Sequence, residues 1–194
     1  MTPAAIDRLC DELRAGRHHE GDEAAPLYVR IACSTGATVS PLSATTRGAW
    51  LPAEGQLLLR GTKRSKKGAR ARDRILQLPP TLAGEVEAYH GRGGEPEDRL
   101  FPLEYARFAT MWTKARKRAG LTEAVLVDGE RHPLRPHDLR HVFATYAERA
   151  GLSEKQIGLA GLCHDDLKTT ARYRTAMVGI GRDEAAAVAG ALGW

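Results

Sequence analysis

The stretch Pro136-His137-Asp138-Leu139-Arg140-His141-Val142-Phe143-Ala144-Thr145 organises the reading of this chain. Proline is favoured at the first turn of a helix, where its missing N–H costs nothing. Leu139, Val142 and Phe143 then recur at helical spacing and form an apolar face. His137 and Arg140, three residues apart, are neighbours on such a helix. The apolar pattern puts them at the edge of a core. An unpaired Arg is costly there, and an anionic ligand relieves that cost. His141 reads as structural.

Farther along come His164 and Tyr173. One Tyr, one Arg and two His suit one chemistry, in which a phosphodiester is held while a phenol attacks it. Arg is always charged and donates paired hydrogen bonds to phosphate oxygens. His donates hydrogen bonds or moves protons near neutral pH. A Tyr phenol needs activation to attack, and a Lys can protonate a leaving oxygen. This chemistry requires neither a metal nor a cofactor. No His, Asp and Glu cluster at metal-ligand spacing, and the adjacent Cys163-His164 lacks partners for zinc.

The composition bounds the rest. The 194 residues suit one full-sized domain, spanning 1–194. With 42% apolar and 27% charged residues the chain reads as globular rather than disordered. Cys10, Cys33 and Cys163 are scattered and odd in number, which fits a reducing compartment. The N-terminus carries Asp7, Asp11 and Glu12 and is no signal peptide. No apolar run reaches membrane-span length. The expected location is cytoplasmic. The net charge of +5 is concentrated: 60–74 holds eight Lys or Arg and one Asp, a local +7, and the remainder carries −2. Such a segment suggests contact with a polyanion, or a solvated loop.

The periodicities predict a helix after Thr2-Pro3, a buried helix over Pro26–Ser34 and a short helix over Val39–Ala44. Three short strands follow, at Gly48–Leu51, Gln56–Arg60 and Arg72–Leu78, joined by Ala53-Glu54-Gly55 and by the basic run. Pro79-Pro80 stops the sheet. Helices are expected at Thr81–Tyr89 and Glu104–Ala119. Val125–Glu130 reads as one arm of a hairpin turning at Asp128-Gly129. Ser153 and Gln156 form a capping pair. Further helices are expected at Thr169–Arg174, carrying Tyr173, and at Asp183–Leu192. The Gly-rich Gly91–Gly94 follows no strand and is not a phosphate loop. Lys114, Arg116, Lys117 and Arg118 sit at a helix C-terminus, where the dipole favours cations. His18, His19, His90 and His132 read as solvated.

The run RPHDLRHVFATYAERAGLSEKQI, followed by LCHDDLKTTARYR, resembles the catalytic domain of the tyrosine recombinases, the phage-integrase family. The family's His-x-x-Arg, later His or Trp, and nucleophilic Tyr fall on His137, Arg140, His164 and Tyr173. The upstream STGATVSPL resembles the family's Thr-Gly-Leu-Arg-x-Ser-Glu-Leu. The strands with a basic turn resemble the pair that carries the family's catalytic Lys. Lys63 matches it best, with Lys66 the alternative. The resemblance implies an α+β, mainly helical fold with a small three-stranded antiparallel sheet. Because the match begins almost at Met1, the N-terminal core-binding domain of most of the family is expected to be absent, as in the short recombinases or in a fragment.

It also implies double-stranded DNA as partner, contacted by Arg64, Lys66, Lys67 and Arg70, and site-specific recombination or integration through a 3′-phosphotyrosyl intermediate. A non-catalytic DNA-binding accessory protein on the same fold is the alternative, and a topoisomerase-like relaxing enzyme a third. The terminal helix would dock on a neighbouring protomer on DNA or pack on its own domain.

The chain departs from the pattern at one decisive place. The family's first Arg falls on Thr38, and the acid three residues later on Pro41. Cys163 replaces the Gly before the second His. Thr donates one hydrogen bond but brings no charge, and losing one preorganised donor commonly costs about 10²–10³ in rate. Impaired or conditional activity is the expectation, with Arg47 or Arg30 as candidate substitutes.

Overall fold

The computed structural model describes residues 1–16, 18–19, 22–60, 73–122, 125–127, 130–161, 177–178 and 181–194. Helix α1 spans Pro3–Ala15, with Pro at its first turn and the Thr2 side chain accepting from the Ala5 N–H. Helix α2, Ala24–Thr35, is buried on nearly every face. A helix apolar all round belongs at the centre of a domain, and α1 packs along it. Gly36 ends α2 with φ 67°, a left-handed conformation that Gly adopts without a Cβ penalty. The short α3, Val39–Ser43, follows.

A 3-10 turn, Arg47–Ala49, leads into β1, Trp50–Leu51. Strands β2, Gln56–Leu59, and β3, Arg74–Gln77, complete the expected antiparallel set. Trp50 faces Leu57, and Leu57 faces Leu76, so these three inward positions seal the sheet against the core. Helix α4 spans Pro80–His90, and α5 spans Tyr105–Arg118. Strands β4 (Val125–Val127) and β5 (Glu130–His132) form the expected hairpin, with Val127 paired to Glu130.

Pro136 opens a 3-10 turn, Pro136–Asp138, rather than the α-helix itself, and α6 runs over Leu139–Arg149. Ser153 and Gln156 make their reciprocal bonds, but the segment Gln156–Gly161 winds as a π-helix. A further strand, β6 (Met177–Val178), joins β3 in parallel, pairing Met177 with Arg74. No alternation in the sequence marks it. Helix α7, Arg182–Leu192, packs on α6 and α2 through Ala185, Val188, Ala189 and Leu192. Beyond it, Trp194 stacks under the Arg30 guanidinium at 5.1 Å. No helix of the described residues is long and apolar enough to cross a membrane.

The core is continuous. Tyr28 of α2 meets Phe101 and Phe108 edge-on at 5.4 and 5.6 Å, and its hydroxyl donates to the Leu103 carbonyl at 2.8 Å. Cys10 and Cys33 are buried free thiols. Burial pushes Cys10 up to about 12 and raises Cys33 as well, so both stay protonated and unreactive.

One buried acid pins the α1–α2 connection. Asp22 accepts from the backbone N–H groups of His18 and His19 at 3.0 and 3.2 Å, and from Arg107 at 2.8 and 3.1 Å. The Arg107 hydrogen bond above all, with the two backbone donors, holds its carboxyl down at about 2 against the opposing effect of burial. A folded-state value below the unfolded one stabilises the fold above the unfolded value, near 4, and that contribution is lost as pH falls toward 2. Asp22→Asn is expected to cost about 1–3 kcal/mol at pH 7. In urea titrations its deficit against the wild type should shrink between pH 4 and pH 2. A deficit that stays constant there would remove Asp22 as the cause.

Candidate active site

The site begins at the end of α2. In a helix the last carbonyls lack intrahelical donors and carry partial negative charge. Here two arginines from distant parts of the chain meet them. Arg140, on the first turn of α6, donates through Nη1 to the Gly36 carbonyl at 3.0 Å. Arg74, the first residue of β3, donates through Nη2 to the Thr35 carbonyl. Arg74 is only 8% exposed. The two acceptors are consecutive residues, and Thr38 lies two positions beyond.

The turn that presents Arg140 is braced from below. The Trp112 Nε1 and the Arg116 Nη1 of α5 both donate to the Leu134 carbonyl at 3.0 Å. Buried Asp138 accepts from the Arg135 N–H at 2.8 Å and from its guanidinium at 3.1 Å. These bonds fix the backbone on both sides of Pro136. His137 is exposed on this 3-10 turn, while Arg140 is half-buried one step into α6. The two residues expected as neighbours on one helix thus fall on two elements, His137 on the 3-10 turn and Arg140 on α6. His141 is exposed.

Thr38 sits extended, φ −90° and ψ 147°, at the N-cap of α3, and its side chain makes no capping bond. The two arginines expected as substitutes are engaged elsewhere. Arg47 donates to the Tyr89 carbonyl at 3.3 Å and to the His90 carbonyl, closing the C-terminus of α4. Arg30 pairs with Glu85 and covers Trp194. Both answer local packing needs on other elements. Arg74 is the one that reaches the turn. It belongs to the basic run, but nothing in that run distinguished it; only its place at the start of β3 could have.

Of the α5 cations, Arg116 is held on Leu134 and Arg118 on Glu12, which supports the structural reading of that cluster. Lys63, His164 and Tyr173, and the DNA-contact candidates Arg64, Lys66, Lys67 and Arg70, lie outside the described residues. Met177, four residues after Tyr173 in sequence, is described, and its backbone pairs with Arg74.

No family model matches the chain. Among curated proteins, the tyrosine recombinase XerA of Saccharolobus solfataricus is 37% identical over 86 residues, 42% of this chain and 24% of that protein. Tyrosine recombinase XerD of Pseudomonas putida is 30% identical over 115 residues, 55% of this chain and 36% of that protein. The matched chain thus spans about a third or less of these relatives' length. Among solved structures, a XerA recombinase aligns with a TM-score of 0.61 at 21% identity, over 85% of this chain and 56% of that one. The catalytic domain of bacteriophage HP1 integrase aligns at 0.57 and 22% identity, over 86% and 80%. A Tn1549 transposon integrase solved in complex with circular intermediate DNA aligns at 0.61 and 15% identity, over 86% and 59%. At these identities the structures speak for the fold, and the sequence matches agree with it. The chain has the catalytic-domain fold of the tyrosine recombinases and integrases, and part of its sequence is similar to tyrosine recombinases.

Proposed function

We propose that this chain is a site-specific DNA recombinase or integrase acting on double-stranded DNA through a 3′-phosphotyrosyl intermediate, with activity limited by Thr38. The observation that carries the reading is the seating of Arg140 on the Gly36 carbonyl, beside Thr38, in a recombinase catalytic-domain fold. Tyr173 attacks the scissile phosphorus, forming the O–P bond as the bond to the 5′-oxygen breaks. Arg140 and His164 stabilise the phosphate, His137 assists proton transfer, and Lys63 protonates the departing 5′-oxygen. The basic turn, with Arg64, Lys66, Lys67 and Arg70, grips the DNA backbone, which makes affinity fall steeply with salt. The chain acts as one catalytic-type domain in the cytoplasm, and copies assemble on DNA.

A test that needs no known target is a pool of nicked duplexes with randomised sequence, screened for SDS-stable protein–DNA complexes. The expected result is a covalent adduct on a recoverable site that Tyr173→Phe abolishes. The second reading, a DNA-binding accessory protein, is favoured by Thr38 itself, which removes a charge from the site. It predicts salt-sensitive DNA binding that Tyr173→Phe leaves intact and no adduct under any condition. That outcome would overturn the recombinase reading.

A further inference from the structure

We propose that Arg74 is the second cation of the phosphate site, supplying from the sheet side the positive charge that position 38 does not carry. The inference rests on the functional reading above. Its basis is the convergence at the end of α2. Arg74 and Arg140 donate to the carbonyls of Thr35 and Gly36, consecutive residues in a turn closed by a left-handed glycine. Consecutive Cα atoms lie ~3.8 Å apart, so the two guanidinium groups stand within roughly 10 Å of each other.

A helix C-terminus attracts a single cation with its partial charge of about half an electron. Two guanidinium groups converging on one such end can both donate to a phosphate bound between them, and guanidinium is the cation suited to it. Arg74 is also held more rigidly than a loop residue. It is almost fully buried and lies between two strands, with Leu59 opposite on one side and Met177 on the other. A preorganised charge of this kind costs no reorganisation when negative charge builds up in a transition state. Arg47 and Arg30, the other arginines near in sequence to position 38, are engaged on α4 and on Trp194.

The bland alternative is that Arg74 merely closes the C-terminus of α2, as Arg47 closes that of α4. The two roles separate by rescue. In the structural role, Arg74→Gln lowers stability, and a new arginine at position 38 repairs nothing. In the proposed role, Thr38→Arg restores in the Arg74→Gln background what Arg74→Gln removed, because it returns a guanidinium to the same turn.

The experiment uses the full chain as wild type, Arg74→Lys, Arg74→Gln, Thr38→Arg and the Arg74→Gln/Thr38→Arg double variant. The first readout is the rise in Tm that inorganic sulfate produces, since an anion bound only by the folded state stabilises it by linkage. The second is the rate of Tyr173-dependent adduct formation. Arg74→Gln is expected to lose at least half of the sulfate-induced rise and about 10²-fold in adduct rate. Arg74→Lys should keep the sulfate response, and the double variant should recover both readouts to within about tenfold in rate. Equal sulfate responses in wild type and Arg74→Gln would overturn the proposal, as would a loss that Thr38→Arg does not repair. Should the wild type form no adduct, the recombinase reading fails, yet the sulfate series still decides whether Arg74 belongs to an anion site. If Arg74→Gln does not fold, Arg74→Met alone and with Thr38→Arg carries the same comparison.

Discussion

Arg140→Gln is expected to slow formation of the covalent protein–DNA adduct by about 10²–10³-fold while leaving the fold intact. Glutamine keeps a hydrogen-bond donor near the Gly36 carbonyl but removes the charge, so the loss reads the electrostatic contribution. The structural cost is small by comparison. The partly exposed hydrogen bond to the Gly36 carbonyl is replaced or hydrated, which is worth about 1 kcal/mol. Arg140→Lys separates charge from geometry. Lys retains the charge but cannot offer the planar, paired donors of a guanidinium, so it should fall between wild type and Arg140→Gln. Single-turnover measurements at saturating DNA are the appropriate test, since they exclude an effect on binding alone. An adduct rate unchanged in Arg140→Gln would mean that the cation on Gly36 is a helix cap and that phosphate is held elsewhere.

How far the sequence anticipated this arrangement follows from the range of each interaction. Local signals were legible. Thr2-Pro3 announced α1, the apolar run announced α2, and Asp128-Gly129 announced the β4–β5 hairpin. His137 and Arg140 were legible because three-residue spacing is a local rule. Their setting was not. The bond from Arg140 to Gly36 spans 104 positions, and no periodicity encodes it. Strand β6 is two residues long and pairs in parallel with a strand about a hundred positions earlier, too short for alternation to show. The 3-10 turn at Pro136 was missed because proline at a first turn fits either helix type. Arg74 was hidden by its neighbours. Eight basic residues in fifteen positions read as one solvated patch, whereas its backbone opens a strand and buries its side chain.

Phe143→Ala should produce the largest loss of stability among these variants, and it tests the platform on which Arg140 stands. Phe143 is fully buried on α6, in the same core as Leu27 and Ile31 of α2 and Val188 and Leu192 of α7. It follows Arg140 by three residues, so it anchors the adjoining face of the helix turn that aims the guanidinium. Truncating a buried Phe to Ala costs about 3–5 kcal/mol, because apolar contact is lost and the cavity collapses only in part. For a chain of this size that corresponds to a drop in Tm of about 6–20 °C. Phe143→Leu keeps most of the volume and should cost less than about half as much. Urea unfolding with an unchanged slope would attribute the shift to native packing rather than to the unfolded ensemble. Below both melting points, Phe143→Ala should also slow the adduct more than Phe143→Leu, since a loosened α6 no longer holds Arg140 against Gly36. A stability loss without that kinetic difference would mean that the α2 turn, rather than the α6 core contact, fixes the position of the arginine.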